Sequence, residues 1–263
     1  MGANPTIDQL TAISDEFTRK VDEVKKLPGK LNDKFDDLKW ILPGAYIALT
    51  DTRDAMQQDL KTLISKLGEA VEGQAAPILF VGYAAKWQQV GAAVSAVNNI
   101  QNKPDVNLEG YWDGSAYKAF KASQTYQSAA MSKATEMCEQ VHEQLLTIAE
   151  EGRILYKQII DKLGTLLANA AVAIGESATA VGLVWSINNF NDAIVTAVEL
   201  VVEAMTSFLE LQAKAMIASN ELANIINHPA GFFPDAEGKD RWPSPQTDGY
   251  DSKDDDWKLD GDS

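Results

Sequence analysis

The sequence predicts an all-α fold, and three observations predict it. Apolar residues recur at steps of three and four along most of the chain, no proline stands between Pro104 and Pro229, and no segment reads as a strand. The expected architecture is an elongated bundle of long antiparallel helices over residues 1–228, followed by a disordered acidic tail over 229–263.

The first stripe is Ile7, Leu10, Ile13, Phe17, Val21, Val24 and Leu27, spacing that puts all seven on one helix face. Pro28-Gly29 is expected to interrupt that helix. Leu31, Phe35 and Leu38 resume the stripe before Pro43-Gly44 breaks the chain again. A helix from Ala45 turns Met56, Leu60, Leu63 and Leu67 inward and leaves Asp51, Arg53, Asp54 and Lys61 to water; it is expected to end between Gly73 and Pro77. The next runs from about Ile78 to Ile100 with Trp87 and Val90 on its stripe, and Gln101–Gly114 reads as a loop around Asn102-Lys103-Pro104-Asp105. The longest helix follows. Its seam of Ala134, Met137, Val141, Leu145, Ile148, Gly152, Leu155, Ile159, Leu163 and Leu166 resembles that of a coiled coil and needs a partner surface. It is expected to end near Ile187, with a last helix from about Phe190 to Ile226.

Composition narrows the function. The net charge of −15 over 263 residues argues against nucleic acid, whose phosphates require a concentrated basic surface. It also argues against simple electrostatic attachment to an anionic membrane. Cys138 is the only cysteine, which excludes an intrachain disulfide and a cysteine-based zinc site. The opening residues from Met1 to Asp8 lack a basic region followed by an apolar one, so Sec-type export is not expected. His142 and His228 belong to no metal-spaced cluster, and neither a phosphate loop nor a dinucleotide fingerprint occurs. Cys138 reads as a small buried hydrophobe; a thiolate–imidazolium couple with His142, four residues on, is the remote catalytic alternative. No enzyme activity and no cofactor are expected.

The informative stretch is Tyr111-Trp112-Asp113-Gly114-Ser115-Ala116-Tyr117-Lys118-Ala119-Phe120. Gly114 permits the positive φ of a tight reversal, and Asp113 or Ser115 can cap the next helix. Ala116 and Ala119 let two helices approach, while Phe120 anchors the hairpin. This W-x-G turn resembles that of the WXG-type proteins exported by type VII (ESX-type) secretion systems, in which such a turn joins two antiparallel helices and precedes an A-x-x-x-F/Y pattern. Tyr250-Asp251-Ser252-Lys253-Asp254 is similar to the family's Y-x-x-x-[DE] export signal. The resemblance covers residues 76–165 and, by analogy, the tail. Small family members carry the signal directly after the second helix; here a long further helical stretch intervenes, as in larger ESX-associated substrates.

The resemblance implies a non-enzymatic secreted or surface protein that acts by helix-mediated association, with Trp112 and Gly114 forming the turn and Tyr250 and Asp254 serving export. The partners implied are the secretion machinery or an export chaperone, and a helical partner protein or a second copy. Two alternatives stand beside it. Residues 166–187 have the length of a membrane span, with Val181, Val184 and Trp185 as insertion candidates, so the 166–211 region can be read as a hairpin that inserts as pore-forming toxins do. Glu176 at the centre makes insertion costly and favours a buried bundle helix. The other alternative is a cytosolic structural or chaperone-like coiled coil. The tail segment 235–263 holds ten acids against four bases, a net of −6, and Trp242, Tyr250 and Trp257 within it read as docking aromatics or as chance.

Overall fold

The computed structural model describes residues 4–106, 108–111, 114–175, 180–227, 233–234, 238 and 240–242; for some of these, 180–186 and 215–227 among them, only the backbone is described. The fold is all-α. Six helices follow in order among the described residues: α1 (Ile7–Val24), α2 (Leu27–Ile41), α3 (Pro43–Gly73), α4 (Ala76–Gln101), α5 (Ser115–Gly175) and α6 (Ala180–Asn227), with a 3₁₀ turn at Pro104–Val106.

The boundaries follow from local chemistry. Thr6 opens α1 with a capping box: its Oγ accepts the Gln9 amide at 3.2 Å, and the Gln9 side-chain carbonyl accepts the Thr6 amide at 3.2 Å. The first break lies at Lys25–Lys26 rather than at Pro28-Gly29. Pro28 occupies the first turn of α2, where a missing N–H costs nothing, so it starts a helix instead of stopping one. Leu42 separates α2 from α3 because a residue before proline avoids the helical region; its φ and ψ are −141° and 72°. Gly68 is accommodated inside α3.

Two compact units result. The first comprises Met1–Gly82 and Leu146–Lys214, and the second Tyr83–Leu145 and Ala215–Ser263. The large apolar core belongs to the first. Phe17 of α1, Leu31 and Phe35 of α2, Met56, Leu60 and Leu63 of α3, Leu163 of α5 and Phe190 of α6 are all fully buried there. Polar ties reinforce it: the Gln57 amide donates to Pro28 O and Asn32 Oδ1, both at 3.0 Å, and Arg53 lies 5.9 Å over the Phe35 ring.

In the second unit α4 and α5 pair through small and polar residues. Asn98 donates to Ser132 at 3.1 Å, Gln124 donates to Gln101 O at 2.8 Å, and His142 contacts Ala84 O at 2.9 Å. Partner numbers rise on one helix as they fall on the other. A Cβ added at Gly91 would stand 3.0 Å from Cys138 Cβ, so the two backbones approach closely at that level.

Several expectations need correction. Val90, expected with Trp87 on the apolar stripe of α4, is 50% exposed. The long helix ends at Gly175, and Ile187 and Phe190 are both buried in α6, where a boundary between two helices was expected. Glycine is a poor helix former, and Gly175-Glu176-Ser177 interrupts the apolar run. The stretch 166–187 is consequently divided between α5 and α6, and no helix among the described residues is long and apolar enough to cross a membrane. Val181, Val184 and Trp185 lie on α6, their side chains outside the described residues. Beyond α6, Phe233–Pro234 pairs antiparallel with Asp240–Arg241 around Gly238 at φ 76°, a two-residue pairing in a segment expected to be without strands. Trp242, next to this pairing, is exposed, whereas Tyr250, Asp254 and Trp257 lie outside the described residues, as does His228.

Candidate functional site

The site the sequence singles out is the reversal between α4 and α5. α4 closes at Gln101, and Asn102, one residue beyond, donates to Asn98 O at 2.8 Å and to Ser128 Oγ at 3.0 Å, which fixes the helix end against α5. The 3₁₀ turn Pro104–Val106 follows, and then two glycines in the left-handed region, Gly110 at φ 84° and Gly114 at φ 95°. No other described residue of this reversal adopts positive φ. A side chain at Gly114 would meet no atom within 4 Å, so the backbone angle, not space, is what requires glycine there. The Gly114 carbonyl accepts the Lys118 amide at 3.2 Å, which makes Gly114 the residue that caps α5, with Ser115 already helical. Ser115 was expected as a candidate cap. Trp112 and Asp113 lie outside the described residues. Tyr111 beside them is 78% exposed, and Val106 and Leu108 are also exposed.

Below the turn, α4 is built inside out. Toward α5 it presents Asn98, Gln101, Gly91 and Ala84. Away from α5 it leaves Tyr83, Val90, Val97 and Ile100 between 50% and 57% exposed. Those four fall on a heptad-like register that Lys86 and Ala93 complete, the spacing of one continuous helix seam. Lys86 is the only charged residue of α4, and its ammonium sits 5.4 Å over the Tyr83 ring. A helix that packs on α5 through one face and keeps an apolar seam on the other has room for a second neighbour. The periodicity of this region was visible in the sequence, but which side would face α5 was not: the heptad signal marks the outer face, and the polar ladder was the unread sign of the inner one.

A small cavity of about 280 Å³ lies between α4 and α5 beside Gln88, Ser95, Thr135, Cys138 and His142. Burial pushes the Cys138 thiol up from its ordinary value, aided by the Glu139 charge. A carbonyl only accepts, so the His142 Nδ1 facing Ala84 O carries the proton and donates it. The thiol is thus held in its protonated, weakly nucleophilic form, and the imidazole is committed to a helix–helix bond. Among the described residues no three of His, Cys, Asp and Glu gather as metal ligands. No family model, curated protein or solved structure matches the chain.

Proposed function

We propose that the protein is a non-enzymatic substrate of a type VII (ESX-like) secretion system, secreted or displayed at the cell surface, and that it acts by helix-mediated protein association. The observation that carries this reading is the turn: Gly114 at φ 95° caps α5 and lets the chain reverse after α4, two residues beyond Trp112. In this reading α4 and α5 form the antiparallel W-x-G hairpin of an elongated bundle, Tyr250 and Asp254 are the export signal, and the secretion machinery or an export chaperone reads that signal. The association half rests on α4. Its exposed Tyr83, Val90, Val97 and Ile100 form a nearly uncharged seam that a further helix, from a partner or a second copy, would cover.

The test is export from a host with an intact type VII system, comparing culture filtrate with lysate for wild type, Trp112→Ala and Tyr250→Ala. Wild type in the filtrate and both variants retained supports the turn and the signal together. Both variants exported as well as wild type would remove these residues from the account.

A further inference from the structure

A groove runs between α5 and α6 within the first unit, with a volume of about 810 Å³. Its lining is mixed. Ile154, 36% exposed, with Leu200 and Phe208 supplies the apolar part over buried Leu155 and Ala204, and Gln158 and Ser207 lie among them. The lining positions on α5 extend from Glu151 to Lys162, about three turns or roughly 16 Å of helix axis. That is the footprint of a short helix laid along the groove, contacting both walls at steps of three and four.

The rim decides what kind of helix fits. Glu151 and Asp161 stand on the α5 side, Glu203 and Glu210 on the α6 side, and Lys162 is the one cation among the lining residues. None of the four carboxylates takes part in an ion pair among the described residues. Four acids without an ion-pair partner among the described residues, set around Ile154, Leu200 and Phe208, lower the local potential and repel an anionic occupant. A second copy carries −15 and the chain's own acidic tail −6, so charge disfavours both.

We infer that the α5–α6 groove is a docking site for a cationic amphipathic helix of a different protein, its apolar stripe on Ile154, Leu200 and Phe208 and its Lys or Arg residues on Glu151, Asp161, Glu203 and Glu210. The inference rests on the association half of the proposed function and names the chemistry of one partner. Its test uses purified full-length chain, so that failure here leaves export, and the turn that serves it, standing.

The probe is a labelled peptide of about 18 residues, long enough to hold a helix, with leucines along one face and lysines on the other. Its twin carries glutamates in place of the lysines. Binding is followed by fluorescence anisotropy at about 0.05 M and about 0.3 M salt. The lysine peptide is expected to bind and the glutamate twin not to. Glu203→Lys with Glu210→Lys should weaken binding about tenfold or more, whereas Asp36→Lys with Asp37→Lys, the same charge change at exposed positions of α2, should change it less than about twofold. Ser207→Trp, at an exposed lining position, should block the groove without entering the core. Circular dichroism checks that each variant stays helical. Equal weakening by the two charge pairs would show attraction to the whole acidic chain and overturn the site. Binding indifferent to Ser207→Trp, or no binding of the lysine peptide, would overturn it as well.

Discussion

The Tyr156 hydroxyl donates to the Ala70 carbonyl at 2.9 Å, and by this bond α5 terminates α3. Ala70 lies in the last turn of α3, where carbonyls lose their partners four residues on; the Gln74 amide goes instead to Val71 O at 3.3 Å. The Tyr156 ring also lies 5.1 Å from that of Phe17, so one side chain joins α1, α3 and α5.

Tyr156→Phe keeps the ring and removes only the donor. The variant is expected to lose about 1–2 kcal/mol in urea unfolding. Burial also pushes the phenol up to about 12 from 10. The folded state therefore holds the proton more tightly than the unfolded chain does. The stabilisation is complete below pH 10 and is withdrawn as pH rises from 10 toward 12. Between about pH 9 and about pH 11, wild type should lose on the order of 1 kcal/mol that Tyr156→Phe does not lose. A constant gap between the two proteins across that window would contradict the assignment.

Gly152 and Gly68 make opposite predictions from the same substitution. A Cβ at Gly152 would stand 2.6 Å from Pro77 Cγ, a ring with little freedom to move, whereas a Cβ at Gly68 would meet nothing within 4 Å. Gly152→Ala is expected to destabilise by about 1–3 kcal/mol. Gly68→Ala, inside α3, is expected to stabilise by roughly 0.5–1 kcal/mol. Thermal melts of the two variants beside wild type give both signs in one experiment.

Core and seam should respond differently to truncation. Leu163 is fully buried in the first unit, and its replacement by alanine should cost about 2–5 kcal/mol. Val90 is half exposed on the outer face of α4, and Val90→Ala should change the stability of the isolated chain by less than about 0.5 kcal/mol. A large loss at Val90 would mean that its face is already covered in solution.

The helices were legible because core periodicity in the first unit is strong. Leu10, Phe17, Val21 and Val24, then Met56, Leu60, Leu63 and Leu67, are buried as their spacing requires. Two boundaries were misplaced for one reason: proline and glycine act by position. Pro28 opens a helix because it falls in a first turn, and Gly68 sits inside one while Gly175 ends another. The facing of α4 was not legible, because a helix with an apolar outer seam and a small, polar inner face gives no single amphipathic direction. The α5–α6 groove was equally hidden: Glu151 and Glu203 stand 52 positions apart, and only the fold puts them on one rim.

Gly114→Val tests the turn itself. At φ 95° a β-branched residue is strained, at a cost of about 1–3 kcal/mol. The variant should melt lower than wild type although no atom lies within 4 Å of the added carbon. Unchanged melting would show that the reversal does not require the left-handed conformation.

The most direct test of the central claim is the partition of the wild-type chain between culture filtrate and lysate in two otherwise identical hosts, one with a working type VII system and one without. The account predicts protein in the filtrate of the first host and only in the lysate of the second. Retention in both hosts, with the helical spectrum intact, would contradict it and leave a helical bundle of unassigned purpose.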